Sequence, residues 1–214
     1  MSSSPNQPGR LRGWQRALVL AGVVAGLVFL GAAFLFSGSR VRCQEIAGLD
    51  QSLTLRCSFD VTAEPKAVWD AFTRTNEPLA YYFDAILEAE MRPGGRWRFL
   101  TDDRERFLAG GEILHIEPPR RFVQTFRAAD LSDPPSRITV DLEPTATGSR
   151  VTLSHDRFAS RTETFRRFRR AHPLALSALA ALLETGELPV RARLYTLIFK
   201  PGMKTFTVRA EPWE

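Results

Sequence analysis

Few side chains in this 214-residue sequence are of a kind that does chemistry, and their spacing limits what that chemistry is. There are three histidines, His115, His155 and His172, and imidazole is the usual acid–base group near neutral pH. His155 ends an alternating segment and Asp156 follows at once, but neighbours along a strand point to opposite faces, so adjacency does not pair them. No Ser/His/Asp or metal-type spacing emerges, and each histidine reads as a satisfied structural residue. Glu88 and Glu90 share one strand face opposite Leu87, Ala89 and Met91, the pattern of a solvated face rather than a paired-carboxylate site. The Gly94-Gly95 and Gly110-Gly111 doublets read as turn or bulge glycines, because neither opens a strand-to-helix phosphate loop. Cys43 and Cys57 pair as a disulfide if the domain is exported; otherwise Cys57, on the apolar face of its strand, is a small buried hydrophobe, which is the plainer reading. Nothing in the pattern assigns a catalytic residue, a cofactor or a metal.

These residues are positioned by an α+β series of elements. Leu53–Val61 alternates as a strand. In the following helix Thr62 is the expected cap, Pro65 an early helical residue, and Val68, Trp69 and Phe72 the inward stripe. Asn76 and Pro78 open a second short helix closed by Tyr82-Phe83. Strands are then expected at Ala85–Met91, Arg96–Leu100, Phe107–Glu117, Arg121–Arg127, Ser136–Glu143 and Ser149–His155, with turn residues between them, as in an antiparallel meander. A long helix follows, with Ser160 and Glu163 as a capping box and Phe165, Phe168, His172, Leu176, Leu179 and Leu183 as one stripe. Pro173 is expected to kink or split it, and Gly186 to end it. The segment after Gly186 reads as an added hairpin turning at Pro201-Gly202, and Arg40–Ile46 as an extra edge strand.

Strand parity puts Trp97 and Phe99 on one face, and Phe122, Gln124 and Phe126 on another. If both faces meet the long helix, an apolar pocket forms with few polar groups, the usual composition of a small-molecule site. The candidate binding set is Tyr82, Phe83, Trp97, Phe99, Ile113, Phe122, Gln124, Phe126, His155, Phe168, His172 and Leu176.

The net charge of +5 is not spread over this domain. Residues 1–43 carry Arg10, Arg12, Arg16, Arg40 and Arg42 and no acid, so the remainder is balanced. That excludes a nucleic-acid partner, which needs a basic footprint on the folded part. The arginines flank Ala17–Phe36, an uncharged run of twenty residues. At 1.5 Å per residue it is roughly 30 Å long, enough to cross a bilayer core. The chain therefore divides into a disordered basic tail (1–16), a transmembrane helix (17–36), a linker (37–51), a globular domain (52–186) and an extension (187–214). Three arginines before the span against two after it favour an inside N-terminus and an extracytoplasmic domain in the cell membrane. Arg166–Arg170, "RRFRR", reads as the wet side of the long helix, with anionic headgroups the second option.

The stretches "VTAEPKAVWDAFT", "YYF", "RPGGRWRF", "GGEILHIEPPRRFVQTF" and "TATGSRVTLSHDRF", in this order, resemble the Hsp-90 ATPase activator homologue-like family of the START/SRPBCC superfamily. The resemblance covers about residues 53–186. It implies a helix-grip fold, a curved antiparallel sheet wrapped around a long C-terminal helix with a cavity between them. The expectation is a membrane-anchored domain that binds a hydrophobic small molecule or lipid without identifiable catalysis. A cyclase- or hydrolase-like enzyme using the same cavity, and a chaperone-partner or interaction module, are the alternatives.

Overall fold

In a computed structural model, residues 40–49 and 52–212 are described. The anchor expected at Ala17–Phe36, with the tail before it, lies outside them. Among the described residues no helix is long and apolar enough to cross a membrane.

The alternation of Leu53–Val61 (β2) builds a strand whose Leu55, Cys57, Phe59 and Val61 are buried while Arg56 and Asp60 face water. Arg42–Ala47 (β1) adds the expected edge strand, starting two residues later and ending one later than its pattern implied. Helix α1 (Pro65–Thr73) begins on its proline and buries Val68 and Trp69. Glu64, not Thr62, stands at its N-terminus and makes no side-chain cap. The expected second helix is shorter than its pattern implied. Pro78–Leu79 pairs as strand β3 and only Ala80–Tyr82 forms a 3-10 turn.

The meander follows as β4 (Ala85–Ala89), β5 (Arg96–Leu100), β6 (Arg106–Glu117), β7 (Arg121–Ala128), β8 (Ser136–Thr145) and β9 (Gly148–Phe158). With the edges included, the sheet runs β1-β2-β9-β8-β7-β6-β5-β4-β3, every neighbour antiparallel. Gly94, at φ 75°, supplies the left-handed residue of the β4–β5 turn. Gly110 and Gly111 are not turn residues. They sit inside β6 opposite Arg98 and Trp97, where a Cβ on Gly111 would come within 2.3 Å of the Thr125 carbonyl oxygen. Glycine here permits close strand approach.

Helix α2 (Glu163–Thr185) lies across the sheet and buries Phe165, Phe168, His172, Leu176 and Leu179, the stripe its spacing predicts. Two expectations about it change. Its cap is Thr162, whose hydroxyl accepts from the Phe165 N–H, one turn away, so Ser160 lies before the helix. Pro173 is contained in one continuous helix. The N–H that proline lacks would serve the carbonyl of Arg169, which lies on the exposed flank where water can replace it. Gly186, at φ 72°, closes the helix as expected, its N–H bonded to the Leu182 carbonyl.

The extension is not a hairpin. It forms helix α3 (Val190–Phe199), a 3-10 segment (Lys200–Phe206) and a two-residue strand β10 (Val208–Arg209) on the start of β6. Its apolar residues at 190, 194, 197 and 198 recur with helical rather than strand period.

Cys43 and Cys57 stand directly opposite in the β1–β2 register and are joined as a disulfide. The reading of Cys57 as a lone buried hydrophobe is thereby replaced. It is buried, but as half of a covalent clamp on the edge strand. The bond spans 14 residues, for which loop-closure entropy gives roughly 3 kcal/mol. A Cys43→Ser/Cys57→Ser variant is expected to lose stability of that order in chemical denaturation; unchanged stability would show that β1 is held by its backbone pairing alone.

Candidate functional site

The inner face of the sheet meets α2 over aromatic rings, and eight of the twelve residues selected from sequence form one connected set. Trp97 touches Phe99 (5.3 Å between centroids) and Phe126 (6.0 Å), and Phe126 touches Phe168 (4.7 Å) and His155 (5.4 Å). His155 and Phe168 both contact His172. Outward, Phe99 stacks on Tyr82 at 4.8 Å, and Tyr82 on Phe83 at 5.8 Å. Trp97, Phe126, Phe168 and both histidines are buried, whereas Tyr82, Phe83 and Phe99 are partly buried, and burial still pushes the Tyr82 phenol up to about 12. The set thus runs from the core to an edge. Ile113, Gln124 and Leu176 are buried, with no ring in the chain of contacts. Phe122 turns instead to the edge of Trp69 on α1.

Pattern reading missed three contributors. Phe158 packs on His155 at 4.4 Å; it lies three residues further along β9, out of step with the alternation, and turns inward because the strand is irregular at Arg157 (φ 63°), which strand parity does not signal. Tyr195 of α3 covers Phe83 at 5.5 Å and became invisible once the extension was taken as a hairpin. Ser136 begins β8 and carried no signal.

Ser136, His155 and His172 make a polar line from β8 through β9 to α2. His155 Nε2 lies 2.7 Å from Ser136 Oγ, and its Nδ1 lies 2.9 Å from His172 Nε2. Ser136 donates to the Phe126 carbonyl at 3.3 Å. One arrangement satisfies every contact: His155 Nε2–H donates to Ser136, and His155 Nδ1 accepts from His172 Nε2–H. Both rings are then neutral. Burial holds His155 far below the usual imidazole range, with His172 beside it adding to the effect. Burial alone brings His172 down to about 3. In chemical form the line resembles a nucleophile, a base and an orienting group. As built, however, the Ser136 hydroxyl is spent on a carbonyl and is 2% exposed, so the line works as a tie between sheet and helix. His115 stays outside on the exposed surface near Glu117. No group of three or more potential metal ligands forms among the described residues.

Charge is concentrated on the outer surface. Asp156 pairs with Arg137 rather than with His155, Glu88 with Arg98 and Arg104, and Asp60 with Arg150. Arg166, Arg167 and Arg169 of the basic cluster bond Glu163, Asp130 and Glu45 respectively, which makes this face a wet, paired one. Two clefts of about 890 Å³ each, one around Arg56, Asp60 and Arg150 and one around Arg96, Arg127 and Arg209 that also reaches Trp97, contain neither histidine.

The edge where Tyr82 and Phe83 emerge is tightly built. Phe83 and Asp84 are consecutive non-glycine residues at φ 59°, and Asn76 and Arg104 nearby are also left-handed. Such conformations cost on the order of 1–3 kcal/mol each and persist only where surroundings enforce them. Arg104 bonds the Asn76 carbonyl and Glu88. Lys200, just after α3, reaches Asp84 at 2.7 Å and Asp102 at 2.8 Å. Phe206 lies 5.0 Å below the Arg167 guanidinium, and Arg106 donates to Thr207. The extension is therefore fastened across this edge.

A family model described as activator of Hsp90 ATPase homolog 1-like protein matches residues 62–184, more than half of the chain. The chain belongs to this Hsp90 ATPase activator-like family. Solved structures share the family fold. CalU16 of Micromonospora echinospora superposes with a TM-score of 0.53 at 17% identity, over 75% of this chain and 96% of its own. EF2215 of Enterococcus faecalis, a conserved protein of unknown function, gives 0.55 at 14% identity over 77% and 92%. MLL2253 of Mesorhizobium loti gives 0.51 at 23% identity over 63% and 99%. No curated protein matches the chain. The matched family region ends within α2, so the strap of α3, the 3-10 segment and β10 lies beyond it.

Proposed function

We propose that this domain binds a hydrophobic small molecule or lipid between the sheet and α2, and that Ala17–Phe36 tethers it in the cell membrane with the domain outside the cytoplasm. The observation that carries the binding reading is the aromatic path from Trp97 and Phe126 in the core to partly buried Phe99, Tyr82 and Phe83 at one edge. An apolar molecule entering there exchanges water for ring faces, a gain of about 25 cal/mol per Å² of apolar surface buried. Gln124 and His172 are the polar groups that would orient it, both nitrogens of His155 being spent on Ser136 and His172. The twenty-residue uncharged run and its flanking arginines support the tether. The Cys43–Cys57 disulfide supports an oxidising compartment.

The experiment is a titration of the full chain with a fluorescent fatty-acyl probe. Saturable uptake, competed by unlabelled fatty acid, is expected. A Phe99→Glu variant places a charge at the entrance without removing a fully buried ring, and is expected to bind at least about tenfold more weakly. Absence of saturable uptake, or equal uptake by the variant, counts against the reading.

A further inference from the structure

Helix α3 leaves a large apolar face uncovered. Val190, Leu194, Leu197 and Ile198 are exposed at 67%, 47%, 71% and 65%. At 3.6 residues per turn these four positions fall within an arc of roughly 100°. Arg191 and Arg193 flank that arc on either side, while Tyr195, beyond Arg191, packs on Phe83. Arg193 bonds Glu187, and Lys200 bonds Asp84 and Asp102, so the helix is held in place on the domain. From Leu188 to Ala210 the sequence has five basic residues and no acidic one. An apolar stripe edged by arginines suits contact with a lipid interface, where the stems follow the apolar face and the guanidiniums reach towards phosphates.

The course of the chain points to the same surface. Arg40 bonds Glu184 at 2.8 Å, so the chain enters the domain beside the C-terminal end of α2, six residues before α3 begins. Only four positions separate Arg40 from Phe36, the end of the apolar run, a reach of at most roughly 14 Å. If that run crosses the bilayer, the start of α3 is drawn to the headgroup level.

We propose that the exposed face of α3 docks on a lipid surface carrying anionic headgroups, the leaflet from which the tether emerges. The proposal rests on the tether reading above, and its test separates the two. Docking holds the Phe83–Tyr82–Phe99 edge, which α3 covers through Tyr195, close to the bilayer. An apolar ligand then passes between membrane and domain with a short path through water.

The test reconstitutes the full-length Leu197→Cys variant in vesicles and labels its single free thiol with an environment-sensitive nitrobenzoxadiazole dye, the native cysteines being paired. Alkaline carbonate extraction of the same vesicles reports the tether. With 30% phosphatidylglycerol in phosphatidylcholine, the expected result is blue-shifted emission and at least twofold quenching by a spin label placed shallow in the acyl chain. In phosphatidylcholine alone the quenching is expected to fall by half or more. Adding Leu194→Ser and Ile198→Ser should abolish quenching and leave carbonate resistance intact. If carbonate strips the chain while position 197 is still quenched, the tether fails and the docking stands. Unquenched, solvent-like emission overturns the docking whatever carbonate shows. A blue shift without lipid quenching also overturns it, since protein then covers the stripe, and quenching indifferent to charge overturns the anionic partner.

Discussion

Lowering the pH from 6.5 to 5 is expected to remove about 3 kcal/mol of folding stability through His155 and His172 alone. Both imidazoles are held below their ordinary range, chiefly by burial, His172 to about 3. Below pH 6.5 the unfolded chain therefore binds two protons that the native state refuses. Stability is complete above that pH and falls as the pH drops towards the folded values, by about 1.4 kcal/mol per unit for each group. The Asp133 carboxyl adds a separate loss at lower pH. Against the cost of its burial, the backbone and side-chain bonds from Thr164 hold it below the usual carboxylate range. The interval from pH 6.5 to 5 thus isolates the histidines. Replacing His172 by Gln keeps an amide donor for His155 Nδ1 and removes one titrating group, so the slope should fall to about half. Urea denaturation at pH 7, 6 and 5 measures this. A flat wild-type profile, or an equal slope in His172→Gln, contradicts the neutral pair.

The second large effect is expected at Trp97. It is 2% exposed, packs on Phe99 and Phe126, and donates its indole N–H to the Thr125 carbonyl at 3.1 Å. Trp97→Ala removes the centre of the aromatic path and should cost about 3–5 kcal/mol, a large part of the 5–15 kcal/mol typical of a domain. Trp97→Phe keeps a ring and loses the hydrogen bond, and should cost nearer 1 kcal/mol. Equal losses in both variants would mean that the indole bond, and not ring packing, holds the site together. A loss below 1 kcal/mol in Trp97→Ala would remove Trp97 from the core of the path.

The sheet and α2 were readable because their physics is periodic. Alternation from Leu53 to Val61 and the stripe from Phe165 to Leu183 each have one burying face, and that face fixes register and orientation. The paired polar features had no such signal. Ser136, His155 and His172 come from three elements, and only the β8–β9 pairing with α2 laid across it brings them within hydrogen-bond range. The adjacency of His155 and Asp156 pointed elsewhere, and Asp156 went to Arg137 on the other face. The disulfide likewise depends on register: Cys57 alternates inward as expected, and Cys43 lies opposite only because β1 pairs where it does. The extension was misread because Pro201-Gly202 resembles a hairpin turn, although the preceding apolar residues already kept helical spacing.

These elements give the ligand reading a common basis: an aromatic interior, a neutral polar tie that adds no charge to it, and one edge where rings reach the surface beneath a strap. The most direct measurement is mass spectrometry of organic extracts from the full chain purified from two unrelated hosts, with the Phe99→Glu variant prepared in parallel. An apolar molecule near one equivalent per chain is expected in the wild type from each host, strongly depleted in the variant. Extracts in which wild type and variant carry the same trace lipids, from both hosts, would contradict it.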